Sequence, residues 1–346
     1  MTMSHPFHAE TAFFALFLLA AALMSAVLSR RVIAMRVLDY PTGRSAHDMP
    51  VPKGGGLAIL IVFVVGVPLG QMICHRHADM TDVTLLLATV GLGLFSWRDD
   101  MQPMPPLWKL GAQIAAALLV AWGDMAGGTV HALTTGGLGL RVVWLVALCN
   151  CLNFMDGLNG LASGCTLIAG VIAAGLFMLA GGGVETWGSA LILAAACAGF
   201  LPFNFPHARL FMGDVGSQCC GLVLGALGLR MAGMPQLAHG AWLMPLMLSG
   251  LLVDVIATLL RRMYHRRPVM RAHREHFYQM AHRSGMQAAD ITVVAWASTV
   301  CGGMGAVVMG MGWVRPGPVV LAVSVIQLVW ITAVIRRVGR APGLSW

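Results

Sequence analysis

Long apolar runs alternate along this chain with short polar segments. A bilayer-spanning helix needs about 20 predominantly apolar residues. Runs that approach this length lie near 10–29, 55–73, 83–97, 107–123, 137–152, 160–180, 186–203, 217–232, 239–260, 290–312 and 318–335. The pattern predicts an all-α polytopic membrane protein of about 11 transmembrane helices, with no internal repeat and no low-complexity tract. The whole of 1–346 reads as a single integral membrane domain.

Composition supports this: 58% of the residues are hydrophobic and 10% charged, against roughly 25% charged in soluble domains. A mean hydropathy of +0.78 leaves no room for a large soluble domain. The first run, Ala12 to Leu28, follows His5, His8 and Glu10 without any Lys or Arg, whereas a cleavable signal needs a basic flank there. Arg30 and Arg31 follow it instead, which predicts a retained helix with its N-terminus outside. Eleven crossings then put five connecting loops and the C-terminus in the cytoplasm. Charge tests that topology independently, because Lys and Arg concentrate on the inner side. All of the 22 except Arg76, Arg141, Arg230 and Arg315 fall in those loops and the tail; Arg44 and Arg271 are among them. The net charge of +8 therefore belongs to one face. It suits anionic lipid headgroups and a phosphate-rich substrate equally. The eight cysteines form no CxxC pair, so they read as membrane-core thiols.

The unusual polar residues crowd into the same five loops. A transporter would place ionisable groups near the bilayer midplane on broken helices, whereas an enzyme acting on a lipid headgroup would place them at one interface. The first loop, DYPTGRSAHDMPVPKGGGLAI, brings Lys53 and three glycines to the start of the second helix. Such a helix N-terminus favours anions, and glycine lets a ligand approach the backbone; a plain turn with an interfacial lysine reads as well. The second loop carries Asp99 and Asp100. Adjacent carboxylates at an interface need a metal, a cation or a shared proton, unless the loop is simply solvated.

The third loop, NCLNFMDGLNGLASG, is the most informative. Asn150, Asn153, Asp156 and Asn159 recur every three residues, a spacing that drifts by about 60° per step on a helix. A shared site therefore requires the helix to end here, which Gly157 and Gly160 permit. Four oxygen-bearing side chains with no base suit a hard cation or a nucleotide. The fourth loop, NFPHARLFMGDVGSQCCG, offers Arg209 and Asp214, with Ser217 placed to cap the eighth helix. Asp214 would manage a metal-bound pyrophosphate or serve as a turn residue. The fifth loop, from Arg261 to about 289, is long for a connection. Its RAHREHFYQMAHRSG stretch sets His273 and His276 on one helical face among arginines, which suits phosphate better than zinc. Asp254, near the inner end of the ninth run, reads as a structural partner of Arg261 or Arg262.

These five segments, in this order, resemble the polyprenyl-phosphate N-acetylhexosamine-1-phosphate transferases, which include the phospho-MurNAc-pentapeptide translocase and the initiators of O-antigen assembly. NFMDGLNGLASG and LFMGDVGS carry most of the likeness, which covers about 39–285; residues 286–346 add two helices and a basic tail. The resemblance implies transfer of a sugar 1-phosphate from a UDP-N-acetyl sugar to undecaprenyl phosphate at the bacterial inner membrane, dependent on Mg²⁺ with Mn²⁺ as alternative. It implies Asp214, Asp156 and Asn153 at the metal, and Asp99 and Asp100 on the lipid phosphate. His273 and His276 would contact the sugar or its phosphates, while Lys53, Asn150, Asn159, Asn204, Arg209 and Arg271 would bind substrate. Membrane lipids surround the protein; no nucleic acid is expected, and self-association stays open. Two departures stand out: Asn159 replaces an aspartate common in relatives, and the histidine motif reads HREH. The histidine motif, with NFMDG in the third loop, leans toward the O-antigen and capsule initiators, with GlcNAc, QuiNAc or FucNAc as donor sugar, while Asn159 would serve any metal or sugar without a charge. The pentapeptide translocase and, from another class, a secondary transporter of anionic or lipid-linked solutes are the competing readings.

Overall fold

Every one of the eleven apolar runs is helical. The computed structural model describes residues 5–40, 49–126, 135–268, 273–341, 343–344 and 346; side chains are described from 13 in the first helix and from 137 in the fifth. Arg44 and Arg271 lie outside the described residues. The helices are α1 (His5–Met35), α2 (Gly56–Ile73), α3 (Met80–Met101), α4 (Pro106–Ala126), α5 (Thr135–Met155), α6 (Leu161–Leu179) and α7 (Val184–Asn204). They continue as α8 (Gly213–Gly233), α9 (Gly240–Met247), α10 (Ser249–Tyr264), α11 (Phe277–Arg283), α12 (Ala288–Gly310) and α13 (Pro316–Arg340).

Two expectations change. Among the described residues, nine helices are long and apolar enough to cross a membrane, or ten with α9 and α10 taken as one bent span, rather than eleven. The helix that falls short is α4, where Lys109, Gln113 and Asp124 interrupt the apolar sequence. The run at 239–260 is not straight: α9 and α10 meet at Leu248 with an 80° bend. Pro245 lies inside α9 and cannot donate to the preceding turn, which weakens the helix just before that break.

The bundle is organised around α8, which packs against α5, α3, α2 and α9. Its apolar stretch is 89% buried, against 22% for α1 and for α13, so those two face lipid. Small residues make this possible. A Cβ on Gly221 would strike the α5 backbone at Leu148, so only glycine permits this close approach.

At one end the polar loops are stitched together. A two-residue ribbon pairs β1 (Leu38–Asp39) with β2 (Val51–Pro52). It extends into the α7–α8 loop, since Phe211 N donates to Pro52 O and Gly55 N to Phe211 O, each at 2.8 Å. At the far end, three of the four outlying arginines are paired: Arg230 with Asp82, Arg141 with Asp124 at 3.2 Å, and Arg76 with Glu185 at 4.0 Å. Paired charges of this kind do not contradict the one-sided charge pattern. Arg315, before α13, is exposed.

Candidate active site

At the stitched end a cavity of about 420 Å³ opens among the loops. Its walls include Asp39, Lys53, Asp100, Asn153, Asp156, Asn159, Asn204 and Asp214. Helix α5 ends at Met155, and residues 156–160 form a turn that closes at Gly160 with φ +74°. That turn brings Asn153, Asp156 and Asn159 to one wall, as the glycines lead one to expect. Asn150, one turn lower in α5, stays out of the cavity and bonds Gln113.

Asp214 stands in the first turn of α8, where the helix dipole favours a carboxylate. Asn153 Nδ2 donates to its Oδ1 at 2.9 Å, and Lys109 Nζ and Gln218 Nε2 to its Oδ2 at 3.2 and 3.3 Å. Beside it, Gly213 has φ +74°, and the Asp100 Oδ2 lies 2.8 Å from where a Cβ would stand. This glycine lets Asp100 reach the start of α8, where it accepts from Asp214 N at 3.3 Å and Val215 N at 3.4 Å.

The adjacent carboxylates do not act as a pair. Successive residues on a helix point about 100° apart, so Asp100 faces the cavity while Asp99 turns behind it. Asp99 is buried, contacts Lys109 Nζ, and accepts from Met104 N at 2.7 Å. The two carboxylates thus have separate partners, Lys109 and Met104 N for Asp99 and the N–H groups of Asp214 and Val215 for Asp100. Asp156 has no such partner: burial first, then the charge of Asp214, push its carboxyl well above the usual range. Lys53 reaches toward Asp39 at 3.8 Å.

Asn204 is buried and joins two loops, accepting from Gly160 N at 2.6 Å and donating to Leu210 O at 2.9 Å. Asn159 donates to Pro206 O at 3.0 Å. Arg209 is held outside the cavity, on Pro202 O and over the Phe203 ring. Ser217 is not the cap of α8; it lies within the helix, where its hydroxyl donates to Gly213 O and accepts from Asn153.

His273 and His276 come together, though not on a helical face. Residues 273–275 are irregular and α11 begins only at Phe277. The two rings stack at 5.0 Å. His276 is the residue before α11, buried, with Nδ1 3.0 Å from Asp254 Oδ1. Asp254 also accepts from Phe277 N at 3.1 Å and Tyr278 N at 2.9 Å. It therefore caps α11 rather than pairing with arginine; Arg261, Arg262 and Arg267 converge on Glu275. These ion pairs, against the effect of burial, hold the Glu275 carboxyl below its usual range. Burial, then the His276 ring, lowers His273 to about 4, so it is neutral at pH 7. The motif leans on the α5 end, where Tyr278 Oη donates to Phe154 O at 2.8 Å. Neither histidine is among the cavity walls.

Sequence reasoning passed over Lys109, Gln113 and Gln218. The signal was available: Lys109 and Gln113, and Asp214 and Gln218, are polar pairs at i,i+4 in apolar helices.

Residues 83–232 match the family described as glycosyl transferase family 4. The chain is 35% identical to a decaprenyl-phosphate N-acetylglucosaminephosphotransferase of Mycolicibacterium smegmatis, over 61% of this chain and 58% of that relative. It is 28% identical to a probable undecaprenyl-phosphate N-acetylglucosaminyl 1-phosphate transferase of Bacillus subtilis, over 75% and 74%. A phospho-N-acetylmuramoyl-pentapeptide-transferase of Desulfitobacterium hafniense is 28% identical over 84% and 93%. The matched segment thus spans somewhat over half the length of the mycobacterial relatives, 58%.

Proposed function

We propose that this chain, whose residues 83–232 match glycosyl transferase family 4, transfers an N-acetylhexosamine 1-phosphate from a UDP-sugar to undecaprenyl phosphate. The observation that carries this reading is the convergence of Asp100, Asn153, Asp156 and Asp214, from three separate loops, on one cavity. Such a wall at helix ends suits a substrate whose head is polar and whose tail stays in lipid. A transporter would need these groups near the midplane.

A hard divalent cation fits this donor set. Lys53 apart, the polar side chains of the wall are carboxylates and amides, and Asp156 carries an electrostatic strain that a cation would relieve. No three carboxylate, histidine or cysteine groups among the described residues are close enough to hold an ion alone. That agrees with Mg²⁺, which takes one or two carboxylates and completes its shell with water and substrate phosphates. Asp214, Asp156 and Asn153 would hold it, with Mn²⁺ as a substitute. When bound, the ion neutralises and aligns the pyrophosphate.

The chain's own groups do the rest. Lys109 holds the Asp214 carboxylate in place and neutralises Asp99. Asp100 meets the lipid phosphate and takes its proton if it carries one. An oxygen of the lipid phosphate attacks the β-phosphorus; the new P–O bond forms as the bond to the bridging oxygen breaks, and UMP leaves. Lys53, Asn159 and Asn204 line the donor side, and His273 and Arg271 would meet the sugar or its phosphates, while His276 is held on Asp254.

The charge pattern supports a cavity facing the cytoplasm of a bacterial inner membrane, with the N-terminus outside. The names of the mycobacterial and Bacillus relatives favour GlcNAc as donor, and the product would start a lipid-linked glycan such as an O-antigen. Pentapeptide transfer is the second reading, because the Desulfitobacterium relative aligns over 93% of its length. The deciding experiment offers UDP-GlcNAc, UDP-QuiNAc, UDP-FucNAc and UDP-MurNAc-pentapeptide with undecaprenyl phosphate and Mg²⁺, and measures UMP. UDP-GlcNAc should be turned over; no UMP from any donor would overturn the transferase reading.

A further inference from the structure

Beneath the cavity lies a second polar layer that touches no substrate space. Lys109 and Gln113 on α4, Asp214 and Gln218 on α8, and Asn153 and Asn150 on α5 are each about one turn apart. The upper rung, Lys109–Asp214–Asn153, borders the cavity. The lower rung consists only of amides. Asn150 Nδ2 donates to Gln113 Oε1 at 2.6 Å, Gln113 Nε2 to Gln218 Oε1 at 3.1 Å, and Gln218 Nε2 to Asp214 Oδ2 at 3.3 Å. Gln113 and Gln218 are 3% and 2% exposed, so neither has water to fall back on.

The direction of this chain is set from one end. A carboxylate paired with lysine only accepts, so Gln218 must turn its NH₂ toward Asp214 and its oxygen toward Gln113. Gln113 must then present NH₂ to Gln218 and oxygen to Asn150. One donor of each amide points along the chain toward Asp214, while Gln113 Nε2 also reaches Asn150 Oδ1 at 3.4 Å and Asn150 Nδ2 also donates to Val146 O at 2.8 Å; aligned amides polarise one another. Buried amides are costly unless fully paired, and an apolar residue at 113 would pack this helix more simply.

We infer that Gln113 is a positioning residue: through Gln218 it fixes the orientation of Asp214 without entering the cavity. The inference rests on the transferase reading for its kinetic part. Gln113→Met keeps the volume and removes all three side-chain hydrogen bonds, two with Asn150 and one with Gln218; Gln113→Glu keeps the acceptor for Asn150 but cannot donate to Gln218 when ionised. Purified full-length variants are assayed for UMP release below their melting temperatures, and the melting temperatures of Gln113→Met, Gln218→Met and the double variant are compared. Both Gln113 variants should lose about tenfold in kcat with the donor KM within about twofold, as expected for loss of an interaction felt in the transition state. The double variant should be no slower than Gln218→Met, and the melting shifts should be non-additive.

A folded Gln113→Met enzyme with kcat within about twofold of the parent would overturn the positioning role and leave only a packing contact. Additive melting shifts would overturn the chain itself. Failure of the parent protein to release UMP would instead count against the transferase reading, and the melting cycle would still decide whether the amides are coupled.

Discussion

Replacing Lys109 by Met separates two roles that the structure gives one ammonium. Its Nζ contacts Asp99 and lies 3.2 Å from Asp214 Oδ2. The Asp99 side chain is 4% exposed, and its other partner is Met104 N. Breaking a buried ion pair leaves a charge uncompensated at about 3–5 kcal/mol; here the lower end applies, because Lys109 is a third exposed at 32%. Two charges 3.2 Å apart attract by about 5 kcal/mol at an effective dielectric near 20. Water at the exposed lysine screens that to roughly 2 kcal/mol, between the values for surface and buried pairs. Lys109→Met should therefore lose about 3 kcal/mol of stability, and about thirtyfold in rate if the Asp214 term is felt in the transition state. Adding Asp99→Asn removes the stranded charge and keeps an acceptor for Met104 N. The double variant should recover most of the stability and none of the rate. Tryptophan fluorescence melting in detergent and UMP release measure the two quantities. Recovery of both by Asp99→Asn would refute the reasoning, because Lys109 would then serve Asp99 alone.

Asp214→Asn should leave a folded membrane protein with kcat reduced about a hundredfold or more, since the proposed metal site would lose a carboxylate; UMP release near the parent rate would remove Asp214 from the chemistry. Asp254→Ala strips two N–H bonds from the start of α11 and the partner of His276, and should cost about 2–3 kcal/mol in a melting experiment; an unchanged melting point would show that α11 is held otherwise. His273 gives a pH dependence. Its folded pKa of about 4 lies below the ordinary 6.5, so the unfolded chain takes up a proton that the folded site refuses. Stability should therefore be full above that ordinary value and fall as pH drops toward 4. His273→Gln should flatten that part of the melting curve, and an identical pH profile would exclude the contribution.

Hydropathy located the helices well because each run is bounded by loops of sharply different polarity. It missed the bend at Leu248, since a broken and a straight span have the same composition, and it counted α4, whose polar residues leave it short of the apolar composition of the other spans. There the polar residues are satisfied by neighbours that no local window includes. The third loop was legible through its glycines: Gly157 and Gly160 permitted the turn that puts Asn153, Asp156 and Asn159 on one wall. Asn150 carries the same residue type at the same spacing yet stays inside α5, a distinction that only the end of the helix decides. The Asp99–Asp100 pair looked like one feature because sequence records adjacency and not direction. Asp254 does not take its expected arginine partner for the same reason: three arginines and two acids admit several pairings, and the fold of the α10–α11 loop gives the arginines to Glu275.

The polarity of α4 has a consequence for biogenesis. Lys109 and Gln113 find Asp214 and Gln218, each 105 residues further along the chain. A ribosome adding about 5–20 residues per second makes those partners roughly 5–20 seconds later. During that interval Lys109 has only Asp99, Asp124 has Arg141, and Gln113 has Asn150 but not Gln218, so the polar face of α4 is only partly paired. Pairing of this face is completed only once α8 emerges. Translation pausing and insertase availability between these two helices therefore bear on yield, although no residue of the cavity is altered.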